Sequence, residues 1–589
     1  MKPIKTEGTK MHNLLLDTLP IWTTAQAQKT SNRGVSASNQ QLLGIQKLRE
    51  LILELAVRGK LVPQDPNDEP ASELMKRIER EKKRLIKNGK IKKQESLSEV
   101  EENEKSFDIP TSWEWVKIGN IGYTQTGGTP SKNDNSLFGN DVPFIKPGDI
   151  YPNYVDYNNE GLSFKGVDSL GRSAVEGSIL MVCIGTIGKC NLIDRMCTFN
   201  QQINSISPYH KISDYILLAL RSRYFQDTAW EKSSSTTIAI LNKGKWENIG
   251  IPLPPLAEQH RIVAKVDELM ALCDELEKEQ TNSNSTHETL VEVLLTNLTD
   301  AKNFDDFKEA WQRVAACFDT LFTTEHSIDK LKQTILQLAV MGKLIPQDPT
   351  DEPASELLKK ISKEKSRLVR EGKIKKQAAL PEITEEEKPF YLPKGWEYIR
   401  LNGLGYFCGG GTPSKSKSSY WNGNILWISP KDMYSDYIKD SELKITDDGV
   451  NNSTAKLIPH GSILIVARSG ILKRKLPVSI NSLECAVNQD LKVIVPYITN
   501  LNTYIQLMLK GFEKFILKEL VKQGMTVQSL EYDKFEKQPF PIPPLAEQHR
   551  IVTKINELFA LCDSLKEGIQ KAQKIQNVLA EEIVRRIVN

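Results

Sequence analysis

Four cations stand within eight residues in the second half of the chain: Arg468, Lys473, Arg474 and Lys475. They come shortly after the apolar run 462–466, which has the composition of a buried β-strand. Arginine and lysine side chains on a loop at the end of such a strand can bind phosphates or the edge of a guanine base. A loop whose charges contact only water has the same composition, and the sequence leaves both interpretations open.

Further residues suited to polar recognition occur at matching places in the two halves. The word Gly-Thr-Pro-Ser-Lys ends on Lys132 in the first half and on Lys415 in the second. Its backbone N–H groups and its lysine can meet phosphates, although a simple turn explains the same residues. Gln201 and Gln489 each follow an asparagine directly, and Gln202 follows Gln201. Their amides can read adenine or can hydrogen-bond within a core.

No catalytic constellation is recognisable in the sequence. Residues 185–190 have the wrong spacing for a phosphate loop, and neither an Asn-Pro-Pro-Tyr/Phe word nor a glycine-rich cofactor loop occurs. His260 and His549 occupy equivalent positions without a second His or Cys at metal-ligand spacing. We interpret them as surface or partner contacts. The chain is therefore predicted to be non-catalytic, with no metal or cofactor of its own.

The composition is that of an ordinary globular chain. The 589 residues should form several domains. The net charge is only +3, so any basic surface must be local. No apolar run approaches the ~18–20 residues of a membrane helix, and the N-terminus lacks the apolar core of a secretory signal. The eight cysteines form no Cys-x-x-Cys pair, which favours reduced cytoplasmic thiols.

The elements that must position these residues are marked by a ten-residue repeat. Pro-Pro-Leu-Ala-Glu-Gln-His-Arg-Ile-Val occurs at 254–263 and again at 543–552. Proline is tolerated where a helix begins, because its missing N–H has no intrahelical partner there. Apolar residues then recur with a period near 3.5, which predicts a helix packed lengthwise against another helix. The predicted seams are Ile262, Val266, Leu269, Cys273 and Leu276 in the first copy and Ile551, Ile555, Leu558, Cys562 and Leu565 in the second.

A second pair of words, 283 residues apart, helps to divide the chain. Leu-Ala-Val-x-Gly-Lys-Leu-x-Pro-Gln-Asp-Pro stands at 55–66 and 338–349, with glycine placed to end a helix and proline to prevent its resumption. A charged helix and an acidic linker follow each copy. We predict an N-terminal arm (1–40), a helical region (41–106), a first globule (107–253), a central helical spacer (254–389), a second globule (390–542) and a C-terminal helix (543–589).

The two globules alternate short β-type runs with a helical stretch, which predicts an α/β (α+β) fold for each copy. The helical words are almost identical between the halves, while the globules share only a skeleton. A constant scaffold with two different surfaces suits a device that holds two different binding modules. The first globule is close to neutral, with 13 Lys and Arg against 14 Asp and Glu over 107–250, whereas 390–540 carries 19 against 14.

The twin ten-residue words, the twin Leu-Ala-Val words and the alternation of divergent globule with repeated helix resemble the specificity (S) subunit of type I restriction-modification systems. The resemblance covers nearly everything from about residue 40 to the C-terminus. It implies that each globule is a target recognition domain for half of a split DNA sequence. It also implies that the repeated helices form a long antiparallel coiled coil, with 41–62 and 566–589 rebuilding what 256–340 supplies. A helix of about 25 residues spans about 37 Å, close to the ~34–36 Å of one DNA turn.

The resemblance implies partners as well. Two modification (methyltransferase) subunits would dock on the helices and restriction (motor and nuclease) subunits would join outside. S-adenosylmethionine, ATP and Mg would belong to those partners, and the complex would methylate adenine N6 and cleave DNA with ATP. This chain would bind double-stranded DNA at the nucleoid in a prokaryotic cytoplasm, with no membrane contact. A scaffold that pairs two client proteins without binding DNA is the alternative.

By the same analogy, the loops before each returning helix would face DNA, although plain flexible loops would look the same. These loops add Ser234, Thr236, Thr237, Lys243, Lys245, Thr526 and Gln528 to the candidate DNA contacts. Lys146 and Lys431 are further candidates.

Overall fold

The structure is a computed structural model that describes residues 19–24, 42–234, 238–376, 381–524 and 526–588. The chain divides into two compact units, one formed by 1–285 with 572–589 and the other by 286–571. Each unit contains one of the predicted globules. The internal duplication of the sequence is therefore also a duplication of structure.

The first globule combines a four-stranded antiparallel sheet with a three-stranded sheet. The helices before residue 256 are α1 (Leu19–Thr24), α2 (Leu43–Val57), α3 (Ala71–Lys87), α4 (Ile118–Ile121), α5 (Phe164–Leu170), α6 (Ser213–Arg221), α7 (Arg223–Glu231) and α8 (Lys243–Glu247). The strands are β1 (Glu114–Lys117), β2 (Gly122–Thr126), β3 (Phe138–Ile145), β4 (Gly161–Leu162), β5 (Ile179–Val182), β6 (Cys190–Leu192), β7 (Thr198–Phe199), β8 (Ile203–Pro208) and β9 (Gly250–Leu253). The strand order is β2-β8-β5-β6 in the larger sheet and β4-β3-β7 in the smaller one.

The second globule has a five-stranded sheet and two three-stranded sheets. The helices from residue 256 onward are α9 (Leu256–Asp300), α10 (Phe304–Ala316), α11 (Phe318–Leu321), α12 (Glu325–Val340), α13 (Ala354–Arg370), α14 (Asp447–Asn451), α15 (Asn502–Gly511), α16 (Glu513–Glu519), α17 (Tyr532–Lys537) and α18 (Leu545–Val588). The strands are β10 (Glu397–Arg400), β11 (Gly405–Gly409), β12 (Trp421–Ile428), β13 (Tyr437–Ile438), β14 (Leu443–Ile445), β15 (Ile463–Val466), β16 (Arg468–Ser469), β17 (Val478–Asn481), β18 (Cys485–Val487), β19 (Leu491–Pro496), β20 (Val521–Lys522), β21 (Gln528–Leu530) and β22 (Pro539–Ile542). The strand order is β11-β19-β15-β17-β13 in the largest sheet, and β14-β12-β18 and β16-β21-β20 in the other two. The predicted mixed α and β character is confirmed in both globules.

The two ends of each globule lie side by side. β1 pairs antiparallel with β9, so that Glu114 stands opposite Leu253. In the second globule β10 pairs with β22, and Glu397 stands opposite Ile542. A domain whose ends are adjacent can be exchanged without moving the flanking chain. Both globules therefore meet the structural condition for replaceable modules.

The long helices α9 and α18 have 45 and 44 residues, more than the roughly 25 considered above for a spacer helix. In the first unit the start of α9 runs antiparallel to α2. Arg49 of α2 forms ion pairs with Asp274 (2.7 Å) and Glu277 (3.0 Å). The first seam is buried in the same core as α2, with Leu276 packed against it, and the end of α18 adds Ala580 and Val584 to that core.

The second unit repeats this arrangement with α18 and α12. Lys332 of α12 pairs with Asp563, and Lys566 of α18 lies 3.0 Å from Asp329. Of the second seam, Ile551, Ile555 and Cys562 are buried, Leu558 is half-buried and Leu565 is 41% exposed. The end of α9 adds Val291, Leu295 and Leu298 to the core of this unit. Each unit thus combines the start of one long helix, the end of the other and a shorter companion helix.

Helices α2 and α12 end as the repeated words predict. Gly59 and Gly342 have φ angles of 67° and 70°, a region that glycine adopts without strain. The N–H of Lys60 donates to the carbonyl of Leu55 (3.0 Å), and the N–H of Lys343 donates to that of Leu338 (2.8 Å). This is the hydrogen-bond pattern of the Schellman motif. Glycine therefore terminates both companion helices at the same point.

Some helices were not predicted from sequence. Residues 1–40 were interpreted as an arm, yet α1 places Trp22 in the core of the first unit. Helices α10 and α11 follow α9 in the second unit. None of the helices in the described ranges is long and apolar enough to cross a membrane.

Candidate nucleic-acid interface

A turn after β7 brings Gln201 against the Gly-Thr-Pro-Ser-Lys word of the first globule. Asn200 is buried; its N–H donates to the carbonyl of Ile145 (3.0 Å). Its Oδ1 accepts from the N–H of Gln202 (3.0 Å), a local bond typical of asparagine turns. Gln201 is exposed, and its Oε1 accepts a hydrogen bond from the Thr129 hydroxyl at 2.6 Å. We call Thr129 and Gln201 the first Thr–Gln pair.

The second globule builds the same turn after β18. The N–H of Asn488 donates to the carbonyl of Ile428 (2.9 Å), and its Oδ1 accepts from the N–H of Asp490 (3.1 Å). The exposed Gln489 accepts a hydrogen bond from the Thr412 hydroxyl. Thr412 and Gln489 form the second Thr–Gln pair. The sequence identified both words and both glutamines as candidates but did not predict that they touch.

Glycine makes this contact possible. A Cβ on Gly127 would lie 2.2 Å from the carbonyl oxygens of Phe199 and Asn200. A Cβ on Gly410 would lie 2.1 Å from the carbonyl oxygen of Val487. No other residue fits such a close approach of two backbones. The loop before each Thr–Gln pair is therefore fixed directly on the turn that carries the glutamine.

The basic loop of the second globule lies beside the second Thr–Gln pair. The N–H groups of Ala467 and Arg468 donate to the carbonyl of Asp490, at 2.8 and 3.1 Å. Strand β16 pairs with β21, with Arg468 opposite Ser529. The side chains of Arg468, Lys473, Arg474 and Lys475 are all exposed. Four cations thus stand on one exposed loop adjoining Gln489.

The corresponding loop of the first globule differs in charge. The N–H of Cys183 donates to the carbonyl of Gln202 (2.8 Å), which places this loop beside the first Thr–Gln pair. Residues 184–189 contain one cation, Lys189, and its Nζ donates to the carbonyl of Pro147 (2.8 Å). Isolated bridges join Ile240 to both Ile184 and Ser234. The first globule therefore presents a mostly neutral loop where the second presents a basic one.

The other candidate residues are distributed around these loops. Lys132, Lys245, Lys415, Ser234 and Thr526 are exposed. Lys146 pairs with Glu160, and Lys431 lies 3.9 Å from Glu442. The Lys243 ammonium donates to Glu247 at 2.6 Å, and Gln202 is half-buried. Thr236 and Thr237 lie outside the described residues.

Gln528 requires a correction. It was predicted to face DNA, but its side chain is fully buried. Its Nε2 donates to the carbonyl of Gly524 at 2.9 Å. Gln528 therefore holds its own hairpin together, and we exclude it from the interface. The alternation of a β-strand explains the result, since neighbouring residues on β21 point to opposite faces.

The ten-residue words form a joint between each globule and its long helix. In the first unit the buried Glu258 accepts hydrogen bonds from the indole N–H of Trp113 (2.9 Å) and the amide of Gln64 (2.6 Å). Arg261 binds both carboxylate oxygens of Asp68, at 2.5 and 3.2 Å. Burial raises the pKa of Glu258, and the bonds from Trp113 and Gln64 oppose that rise. We call these five residues the first joint.

The second joint has the same five residue types. Glu547 accepts from Trp396 (2.9 Å) and Gln347 (3.2 Å), and Arg550 binds Asp351 at 2.6 and 3.1 Å. Burial again raises the pKa of the glutamate. Sequence reasoning noticed the repeated words but not these contacts, although identity between the copies was a usable signal. The joint explains the repetition of these words, because the residues that they contribute to each joint make the same contacts in both units.

The equivalent histidines take no part in the joints. His260 and His549 are exposed near the start of α9 and α18. Within the described ranges, no group of three or more His, Cys, Asp or Glu side chains is arranged to hold a metal ion.

Comparisons with known proteins define the class. The profile of the type I restriction modification DNA specificity domain matches residues 110–284 and 393–576, more than half of the chain. The EcoAI and EcoEI specificity subunits of Escherichia coli are 37% and 36% identical, each over 98% of this chain and 100% of its own length. The HsdS subunit from Thermoanaerobacter tengcongensis, a solved structure, aligns with 82% of this chain and 98% of its own at 18% identity and a TM-score of 0.36.

The chain belongs to the family of type I restriction-modification specificity subunits. It is the DNA specificity subunit of such a system and a component of its complex with DNA. The specificity subunit is the non-catalytic member, and the cofactors belong to its partner subunits.

Proposed function

We propose that each globule reads one half of a bipartite double-stranded DNA target while the helices hold the two globules at a set spacing. In this proposal 107–253 and 390–542 are the target recognition domains, and 41–106, 254–389 and 543–589 form the scaffold with its coiled coil. One observation carries the proposal: the two joints are built from the same residues, but the loops beside the two Thr–Gln pairs differ. A scaffold that repeats itself while its surfaces diverge suits two readers of different sequences.

The charges support DNA as the ligand. The second globule has an excess of cations over acids, 19 against 14 across 390–540, and four of these cations are exposed on one loop. Lysine and arginine that neutralise phosphates supply most of the sequence-independent affinity for DNA. Arginine also binds guanine in two places at once. The nearly neutral first globule depends more on neutral donors and on its partners for DNA affinity.

The proposal includes the partners of the complex. Two modification subunits dock on the helices, and restriction subunits join outside them. These subunits bring S-adenosylmethionine, ATP and Mg, so that the flipped adenine is methylated by a partner and not by this chain. Because the target is chromosomal and invading DNA, we place the complex in the cytoplasm of a prokaryote, at the nucleoid.

A domain exchange tests the proposal. Residues 114–253 begin on β1 and end on β9, so replacing them by the corresponding globule of a relative leaves Trp113 and the first joint in place. Methylated adenines are then mapped across the genome in cells that carry the partner subunits. We expect one half of the methylated sequence to change, with the other half and the gap unchanged.

The reciprocal exchange of 397–542 is the matched control, and it should change the opposite half. Copurification with the modification subunits shows whether each chimera folds and assembles. An assembled chimera that methylates a sequence changed in both halves, or with a different gap, would contradict the proposal that each globule reads one half. A wild-type complex without sequence-selective DNA binding would contradict the proposal.

A further inference from the structure

We infer that the two Thr–Gln pairs are contacts to the DNA backbone that do not depend on sequence and that fix the register of each globule on its half-site. The divergent loops beside them then read the bases. This inference rests on the proposed function and deepens it, because it separates two kinds of contact within one interface. Its ligand is the phosphodiester group of double-stranded DNA.

The Thr–Gln pair is the same in both globules. The Thr hydroxyl, the exposed Gln and the buried Asn before it recur in both globules with the same hydrogen bonds. One residue further on, the sequences already differ: Gln202 in the first globule corresponds to Asp490 in the second. A contact to a base must change when the base changes, whereas phosphates are present at every position. A side chain retained in two otherwise divergent readers therefore suits a feature common to both halves.

The amides of the two glutamines are oriented to donate outward. In each pair the glutamine Oε1 accepts a hydrogen bond from the threonine hydroxyl. In the described part of the chain, neither amide nitrogen has a hydrogen-bond partner, and both glutamines are exposed. Reading adenine requires the amide to donate and accept at the same time. A fixed oxygen and an outward N–H₂ group instead favour a ligand that only accepts, as a phosphate oxygen does.

The surroundings of both Thr–Gln pairs also suit a phosphate. Lys132 and Lys415 are exposed three residues after the threonines, in the same word. Each pair therefore has a cation on the loop that orients it. One glycine in each globule allows that loop to lie directly against the turn. A Cβ on Gly127 or Gly410 would lie 2.2 or 2.1 Å from a carbonyl oxygen. A rigid donor with a nearby cation is what a register-fixing phosphate contact requires.

Substitutions at Gln489 in the assembled complex test this inference, with Gln201 as the matched site in the other globule. The ligands are a duplex with the methylated sequence of the complex and a duplex altered at one base pair in the corresponding half. Gln489→Ala should weaken binding to both duplexes by about three- to tenfold, the value of one neutral hydrogen bond. Gln489→Glu should weaken both duplexes more, because a carboxylate repels a phosphate.

Gln489→Lys gives the sharpest result. If the side chain faces a phosphate, this variant retains its preference between the two duplexes, and its log K falls more steeply with log salt by about 0.9. Thr412→Val should weaken both duplexes slightly, whereas Thr412→Ser retains the hydroxyl and should bind as wild type. The same pattern is expected for Gln201 and Thr129.

A change in the preference between the two duplexes for any Gln489 variant would show base reading and overturn the inference. Equal binding by the Glu and Lys variants would also overturn it, because no phosphate would then lie nearby. Both results leave the proposed function intact as long as the wild-type complex prefers the methylated sequence. Absence of that preference in the wild type would instead defeat the proposed function.

Discussion

In the first joint the carboxylate of Glu258 accepts from Trp113 at 2.9 Å, and in the second joint Glu547 accepts from Trp396 at the same distance. The loops beside the Thr–Gln pairs show no such agreement. Residues 184–189 carry one cation, and 468–475 carry four. Both comparisons are between the two copies of a repeated unit within the same chain.

The difference separates two physical requirements. The joints connect the start of a long helix to the chain just before a globule in both units, and buried hydrogen bonds to a carboxylate tolerate little change. Both loops have exposed residues and take no part in the joints, so their charge can differ without disturbing the scaffold. The geometry of the joints is thus the same in both units, whereas the charge of the loops differs.

The largest expected effect comes from removing the charge that distinguishes the second globule. In the triple variant Lys473→Ala, Arg474→Ala, Lys475→Ala, DNA affinity of the complex should fall about a hundredfold or more near 0.1 M salt, because each lost phosphate contact reduces the salt slope by about 0.9. Titration of labelled duplex at several salt concentrations measures both quantities. Lys473→Arg with Lys475→Arg retains the charge and should leave the slope unchanged.

Lys189→Ala in the first globule should have a much smaller effect, because that ammonium is already bound to the carbonyl of Pro147. An equal loss of salt slope from both loops would remove the distinction between the two globules.

A moderate and symmetrical effect is expected at the joints. Glu258→Ala or Glu547→Ala leaves the indole N–H without its acceptor and removes one acceptor of the glutamine amide, which keeps a backbone carbonyl, at a cost of about 1–3 kcal/mol. Amide hydrogen exchange should accelerate at the β1–β9 pair in the first variant and at the β10–β22 pair in the second. His260→Ala and His549→Ala are exposed neighbours that should leave exchange unchanged. Clearly unequal effects of the two glutamates would mean that the joints are not equivalent.

The smallest effect is a pH dependence shared by both joints. Burial raises the pKa of Glu258 and Glu547, so the folded protein binds these protons more tightly than the unfolded chain does. The resulting stability is present below the ordinary glutamate pKa, about 4.3, and is lost as the pH rises through the raised pKa. In the double variant Glu258→Gln, Glu547→Gln, amides replace the two carboxyl groups, so no proton is bound or released at these positions.

Wild type should therefore lose stability relative to this double variant as the pH increases from about 4. Urea unfolding of both proteins at a series of pH values, followed by tryptophan fluorescence, measures the difference. Parallel stability curves would contradict the raised pKa.

Much of the architecture was predictable because its signals are local. The glycines that end α2 and α12, the prolines before α9 and α18, and the apolar period of the seams act over a few residues, and their duplication made them visible. The four cations of 468–475 are exposed, as both interpretations of that loop require, because charged side chains are rarely buried without a partner; their role as DNA contacts stays a prediction. The burial of Gln528 was not predicted, because which face of β21 points inward depends on the strands beside it.

By itself, the sequence determined that there are two units, where α2 and α12 end, where α9 and α18 begin, and that the globules differ while the scaffold repeats. Only the tertiary structure decided which of these residues meet. Trp113 and Glu258 are 145 residues apart, and Thr129 and Gln201 are 72 apart. Contacts over such distances depend on how whole strands and helices pack, and no pattern along the chain contains that information.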